Sequence, residues 1–146
     1  MRRLVFGLAL IVFVFSLAAH AQQPTVAREQ PNPKTTPAYT LLIQRKVNVQ
    51  AELETVLAEY SSSWPPTKKL QFELDALKGE MKKLAEIDEA QIPKLTNGYG
   101  MLLLRRASLE SEAQSLSEQE GSEWPSLKQK QRELELLDAE LKKLLE

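Results

Sequence analysis

His20 is the only imidazole in this chain and cysteine is absent, so the groups able to do chemistry are its 20 carboxylates, its lysines, and its hydroxyls and amides. Paired carboxylates run general acid–base chemistry when a concave site holds two of them with separated pKa values. The acids here fall instead along charged helical faces, interleaved with lysines. With no thiol nucleophile and no soft metal ligand, no catalytic residue, metal site or cofactor is expected, and the chain does not read as an enzyme. Its distinctive side chains are aromatic. The two tryptophans, Trp64 and Trp124, stand sixty residues apart and each precedes a proline, Pro65 and Pro125; Tyr39 and Tyr99 share the same interval. Aromatic residues commonly anchor protein partners, which makes these six the candidate bend or contact residues.

The interval belongs to a duplication. Residues 39–86 laid over 99–146 without a gap give 17 identities in 48 positions, among them Leu42/Leu102, Arg45/Arg105, Lys68/Lys128, Leu77/Leu137 and the run Lys82-Lys83-Leu84 against Lys142-Lys143-Leu144. One supersecondary unit therefore occurs twice in tandem. Each copy has two helical halves. In the first half of copy one, Tyr39, Leu42, Lys46, Val49, Leu53, Val56 and Tyr60 alternate at three and four residues, a heptad seam with one lysine in it. Leu70, Leu74, Leu77, Met81 and Leu84 keep the rhythm in the second half. Copy two repeats the pattern with Arg106, Glu120 and Lys130 at seam positions, where long stems are expected to snorkel outward.

Each Trp-Pro pair falls between two halves. Proline moves the residue before it out of helical angles, yet it suits the first turn of a new helix, where its missing N–H costs nothing. The chain is predicted to stop, turn and restart as an antiparallel αα-hairpin. Ser62 and Ser122, or a later residue such as Ser126, would cap the new helix. Each indole is expected to fold back over the last apolar layer and seal the hairpin end; the other reading leaves the indoles exposed as contacts at the tips. The fold class is all-α, two tandem coiled-coil-like hairpins over residues 39–87 and 99–146, joined by a linker at 88–98 that contains Pro93, Asn97 and Gly98. Ile43, Val47, Leu57, Leu103, Leu136 and Leu145 lie beside the seams as a second apolar face. The hairpins should pack on each other as a four-helix bundle, or on another copy or another protein. Gly79, matched by Ala139, is either a close-approach point or a tolerated weak spot.

Copy two, with Leu102-Leu103-Leu104-Arg105-Arg106 and the bend Glu123-Trp124-Pro125-Ser126-Leu127-Lys128, resembles the periplasmic coiled-coil hairpin of polysaccharide chain-length determinant (co-polymerase) proteins. The resemblance covers the two repeats and implies a hairpin geometry. Members of that family are held by transmembrane helices at both ends, and many carry a cytoplasmic kinase. No second apolar span follows here, and the glycines beyond the leader, Gly79, Gly98, Gly100 and Gly121, have no P-loop spacing, so neither kinase activity nor chain-length control is carried over.

The leader is residues 1–21: Arg2 and Arg3, an apolar run over 4–19, and the small-x-small end Ala19-His20-Ala21. This pattern reads as a secretory signal peptide, cleaved before Gln22 or retained as an anchor, and places the protein in the periplasm or outside the cell. Without a cysteine at the boundary, lipoprotein processing is not expected. Cleavage also removes His20 and leaves 17 basic against 20 acidic residues. That balance, with no basic run longer than two, points away from nucleic acid. Residues 22–38 carry Pro24, Pro31, Pro33 and Pro37 and read as an extended linker. The function that fits is an exported, non-catalytic helical scaffold working through coiled-coil pairing, with a protein partner or itself, in a cell-envelope secretion or polysaccharide assembly system. A periplasmic holdase-like chaperone is the alternative.

Overall fold

In a computed structural model, residues 31–120 and 124–146 are described. The expected leader and most of the proline-rich linker lie outside them. Four helices follow one another: α1 (Pro37–Glu59), α2 (Pro65–Ala85), α3 (Asn97–Glu120) and α4 (Pro125–Leu145), with a 3-10 segment before α1 (Pro33–Thr35) and another between α2 and α3 (Glu89–Lys94). The chain is all-α, built from two helical hairpins as its periodicity requires.

Helix starts follow local chemistry. The Thr36 hydroxyl accepts the Tyr39 N–H at 3.3 Å, and the Thr96 hydroxyl accepts the Tyr99 N–H at the same distance. Each threonine satisfies one of the orphan donors of a first turn. The correspondence at an offset of sixty therefore extends to residues before Tyr39. Pro33, Lys34 and Thr36 recur as Pro93, Lys94 and Thr96, and both stretches form 3-10 segments. The last residues of the expected linker, 33–38, thus belong to the folded unit, because a threonine cap followed by Pro37 starts a helix where proline density alone suggests extended chain.

At the first bend Trp64, not Ser62, takes the cap position; Ser122, expected to cap at the second bend, lies outside the described residues. Trp64 and Trp124 occupy the N-cap positions with extended backbone (ψ of 131° and 138°) and no side-chain capping bond, and Pro65 and Pro125 open α2 and α4. At the first bend Pro66, the second residue of α2, also lacks one of the N–H groups a capping side chain would serve. Lys82 and Lys83, and Lys142 and Lys143, sit in the last turns of their helices, where positive charge complements the helix dipole. The carbonyl of Leu145, at the end of α4, accepts Lys94 Nζ at 2.9 Å and Gln91 Nε2 at 3.3 Å.

The hairpins pack on each other. Helix α3 lies against both α1 and α2, while α4 rests chiefly on α3 and on the segment preceding it. The core joins Leu42 and Val49 of α1, Leu77 and Leu84 of α2, and Leu103 and Ala107 of α3, all buried. Where α3 meets α1, a Cβ built on Gly100 would stand 2.8 Å from the Ala38 Cα; only glycine permits that spacing. Gly79 has nothing within 4 Å of such a Cβ, so it is a weak spot rather than a point of close approach.

Candidate interaction surfaces

Two residues of α3 tie three helices together. Arg106 donates from Nε to Asp138 of α4 and from Nη1 to Glu80 of α2, with Glu110 a turn away at 3.3 Å. Glu80 is almost wholly buried and also takes Lys83 Nζ at 2.9 Å. Burial works against the Arg106 charge, and the hydrogen bond to Asp138 with the charges of Glu80, Asp138 and Glu110 overcomes it, so its pKa is raised. Six residues on, Glu112 reverses the signs, reaching Lys130 of α4 at 3.0 Å and Lys69 of α2 at 3.9 Å. Burial alone would raise the Glu112 pKa; the Lys130 hydrogen bond and the charges of Lys130, Lys69 and Arg105 outweigh it and hold the carboxyl below its ordinary range. Arg106 and Lys130, read from the heptad as defects that snorkel outward, point instead into the α2/α3/α4 junction. Glu80 and Asp138 on Arg106, and Glu112 on Lys130, come from other helices, which a single seam does not reveal.

Glu80, Lys83, Arg106 and Asp138 line a groove of about 320 Å³ between α2, α3 and α4, together with Leu84, Tyr99, Leu103 and Leu141. Its charges Glu80, Arg106 and Asp138 already pair with one another. Burial, with Glu80 nearby and Arg106 opposing, raises the Tyr99 phenol pKa. Among the described residues, no cluster of three or more His, Cys, Asp or Glu could hold a metal ion, and no helix is long and apolar enough to cross a membrane.

The six sequence-derived residues do not form one site. Trp64 and Trp124 with Pro65 and Pro125 mark the two bends, and Tyr39 and Tyr99 lie in the first turns of α1 and α3. Tyr99 is buried in the core, and Tyr39 packs half-buried against it. The two indoles differ: both are exposed and neither belongs to the core, but Trp64 does fold back on Tyr60, the last seam residue of α1, with ring centroids 4.0 Å apart and planes at 16°. The N-cap residue sits outside the first helical turn, and for Trp64 the nearest apolar surface is the aromatic that ends α1.

The larger open apolar surface lies along the helix flanks. Ile43, Val47 and Leu57 run along α1, while Met101 of α3 joins Leu136 and Leu144 of α4 on the opposite hairpin; all are exposed. Ile43, Val47, Leu57 and Leu136 are the residues read beside the seams. Leu144, expected in the α4 seam, is exposed while Leu145 packs against the core in its place, and Met101 is exposed because α4 leaves that flank of α3 uncovered. No protein-family model, curated protein sequence or solved structure matches this chain.

Proposed function

We propose that this protein is an exported helical scaffold that works by presenting apolar helix faces to other proteins, and that it carries out no catalysis. The observation that carries the reading is the pair of exposed apolar rows, Ile43, Val47 and Leu57 on one hairpin and Met101, Leu136 and Leu144 on the other. Contiguous exposed apolar surface marks association sites, and these residues lie along the flanks of their helices. The leader composition and the hairpin resemblance together favour the cell envelope, in a secretion or polysaccharide assembly system, as the place where it acts.

Crosslinking in intact cells of the envelope that carries the protein, followed by mass spectrometry, tests this. A defined set of assembly components lost on Val47→Glu or Leu136→Glu supports the scaffold. Broad capture of unfolded outer-membrane proteins replaces it with a holdase-like chaperone, and capture indifferent to both substitutions removes the role given to the rows.

A further inference from the structure

The two hairpins are copies, yet their equivalent surfaces differ in exposure in one systematic way. In α3, Leu103 is 3% exposed and Ala107 0%; their counterparts sixty residues earlier, Ile43 and Val47, are 41% and 58% exposed. Hairpin one covers the α3 residues and nothing in the described chain covers those of α1. The receiving side behaves the same way. Leu84 on α2 is 3% exposed beneath α3, whereas its counterpart Leu144 is 49% exposed, and Leu136, the counterpart of half-buried Ala76, is 58% exposed. The internal contact thus uses a donor face on α3 and an acceptor face on hairpin one. Each face recurs, unoccupied, on the other hairpin.

We infer that a second copy of this chain docks there, the α1 face of one molecule (Ile43, Val47) seated on the α4 face of the next (Leu136, Glu140, Leu144), repeating between molecules the contact that joins the hairpins within one. This rests on the scaffold reading above and names its partner. Charge supports the register. The internal contact is pinned by Arg106 on Glu80, and the equivalent positions are Lys46 and Glu140, of opposite sign again. Glu140 keeps the in-helix partner that Glu80 has, with Lys143 at 2.7 Å where Lys83 lies at 2.9 Å, and the docked copy adds the missing cation. The other carboxylates on Arg106, Asp138 and Glu110, correspond to Lys78 and Gln50 beside Lys46, so Glu140 of the docked copy alone carries the equivalent pairing. Thr40 stands where Gly100 does, so the helices sit farther apart at that end, and Gly98 in place of Ala38 offsets part of the difference.

Such a contact joins different faces, so it does not consume itself on dimerisation. Each added chain exposes the same two faces, giving a ring if the rotation closes and an open filament if it does not. Repeat proteins that end in solution carry polar outer faces on their terminal units; here both outer faces are apolar.

The test mixes variants of the full chain, recovered as its producing cell processes it and followed by sedimentation velocity over a concentration series. The parent should grow in mass with concentration. Val47→Glu, blocked at the donor face, and Leu136→Glu, blocked at the acceptor face, should each sediment as single chains with parental circular dichroism. An equimolar mixture of the two should form a two-chain species and stop there, since each supplies the face the other lacks. A parent that stays monomeric throughout, an assembly sensitive to only one of the substitutions, or a mixture that stays monomeric overturns the proposal. Because purified chain alone is used, such a failure is separate from the scaffold reading, which envelope crosslinking decides.

Discussion

Arg106 of α3 and Glu80 of α2 form an ion pair across the boundary between the two hairpins, with the Glu80 side chain almost wholly out of solvent. A buried carboxylate that loses its cation keeps its desolvation cost. Arg106→Met should therefore destabilise the fold by about 2–4 kcal/mol in urea denaturation, tempered by the remaining Lys83. The double variant Arg106→Met with Glu80→Leu should cost less than the sum of the single changes, because removing both charges leaves neither buried and unpaired. Additive costs would mean the pair does not join the hairpins.

Glu112 sets an acid limit. Its carboxyl is held below the ordinary range in the folded protein, whereas in the unfolded chain it titrates near about 4.3. The stabilisation it provides is full above that unfolded value and is lost as pH falls through the lower folded value. Stability measured from neutral pH down to about 3 should fall less steeply in Glu112→Gln than in the parent, and equal slopes would detach Glu112 from Lys130 and Lys69.

Gly100 and Gly79 should respond in opposite directions. Gly100→Ala forces a methyl against the Ala38 backbone and should cost about 1–3 kcal/mol by pushing α1 from α3. Gly79→Ala meets nothing within 4 Å and should stabilise by about 0.5–1 kcal/mol, the ordinary gain in a helix interior. Thermal melts of the two variants check both signs.

The tryptophans should be unequal. Trp64→Ala loses a stacked ring on Tyr60, worth about 0.5–1.5 kcal/mol, whereas Trp124→Ala changes an exposed residue outside the core and should lie within about 0.5 kcal/mol of the parent. Iodide should quench the fluorescence of the Trp64→Ala variant, which reports Trp124, more readily than that of Trp124→Ala. The reverse order would restore an indole seal at the second bend.

The hairpins could be read from the chain because heptad spacing and the Trp-Pro pair act locally: the bends fall where proline dictates, and Leu42, Val49, Leu77 and Leu141 are buried as the seams require. The docking of one hairpin on the other was only half legible. The residues beside the seam indicated a second face, but nothing in a single period says that Leu103 finds α2 while Ile43 finds no cover. Arg106 and Lys130 were misread for the same reason. A charge at a seam position has the meaning its partner on another helix gives it, and Glu80 and Glu112 lie 26 and 18 residues away in sequence. The threonine caps were present in the sequence as Pro-Lys-x-Thr in both copies, hidden by the proline density around the first.

The absence of native cysteine allows the contact between copies to be read directly. Lys46→Cys and Glu140→Cys placed together in one chain, treated with a bismaleimide short enough to bridge only neighbouring side chains, should give a ladder of covalent multimers on a denaturing gel, while each single variant stays at the mass of one chain. A single band from the double variant, or a dimer from Lys46→Cys alone, would contradict a head-to-tail stack of hairpins.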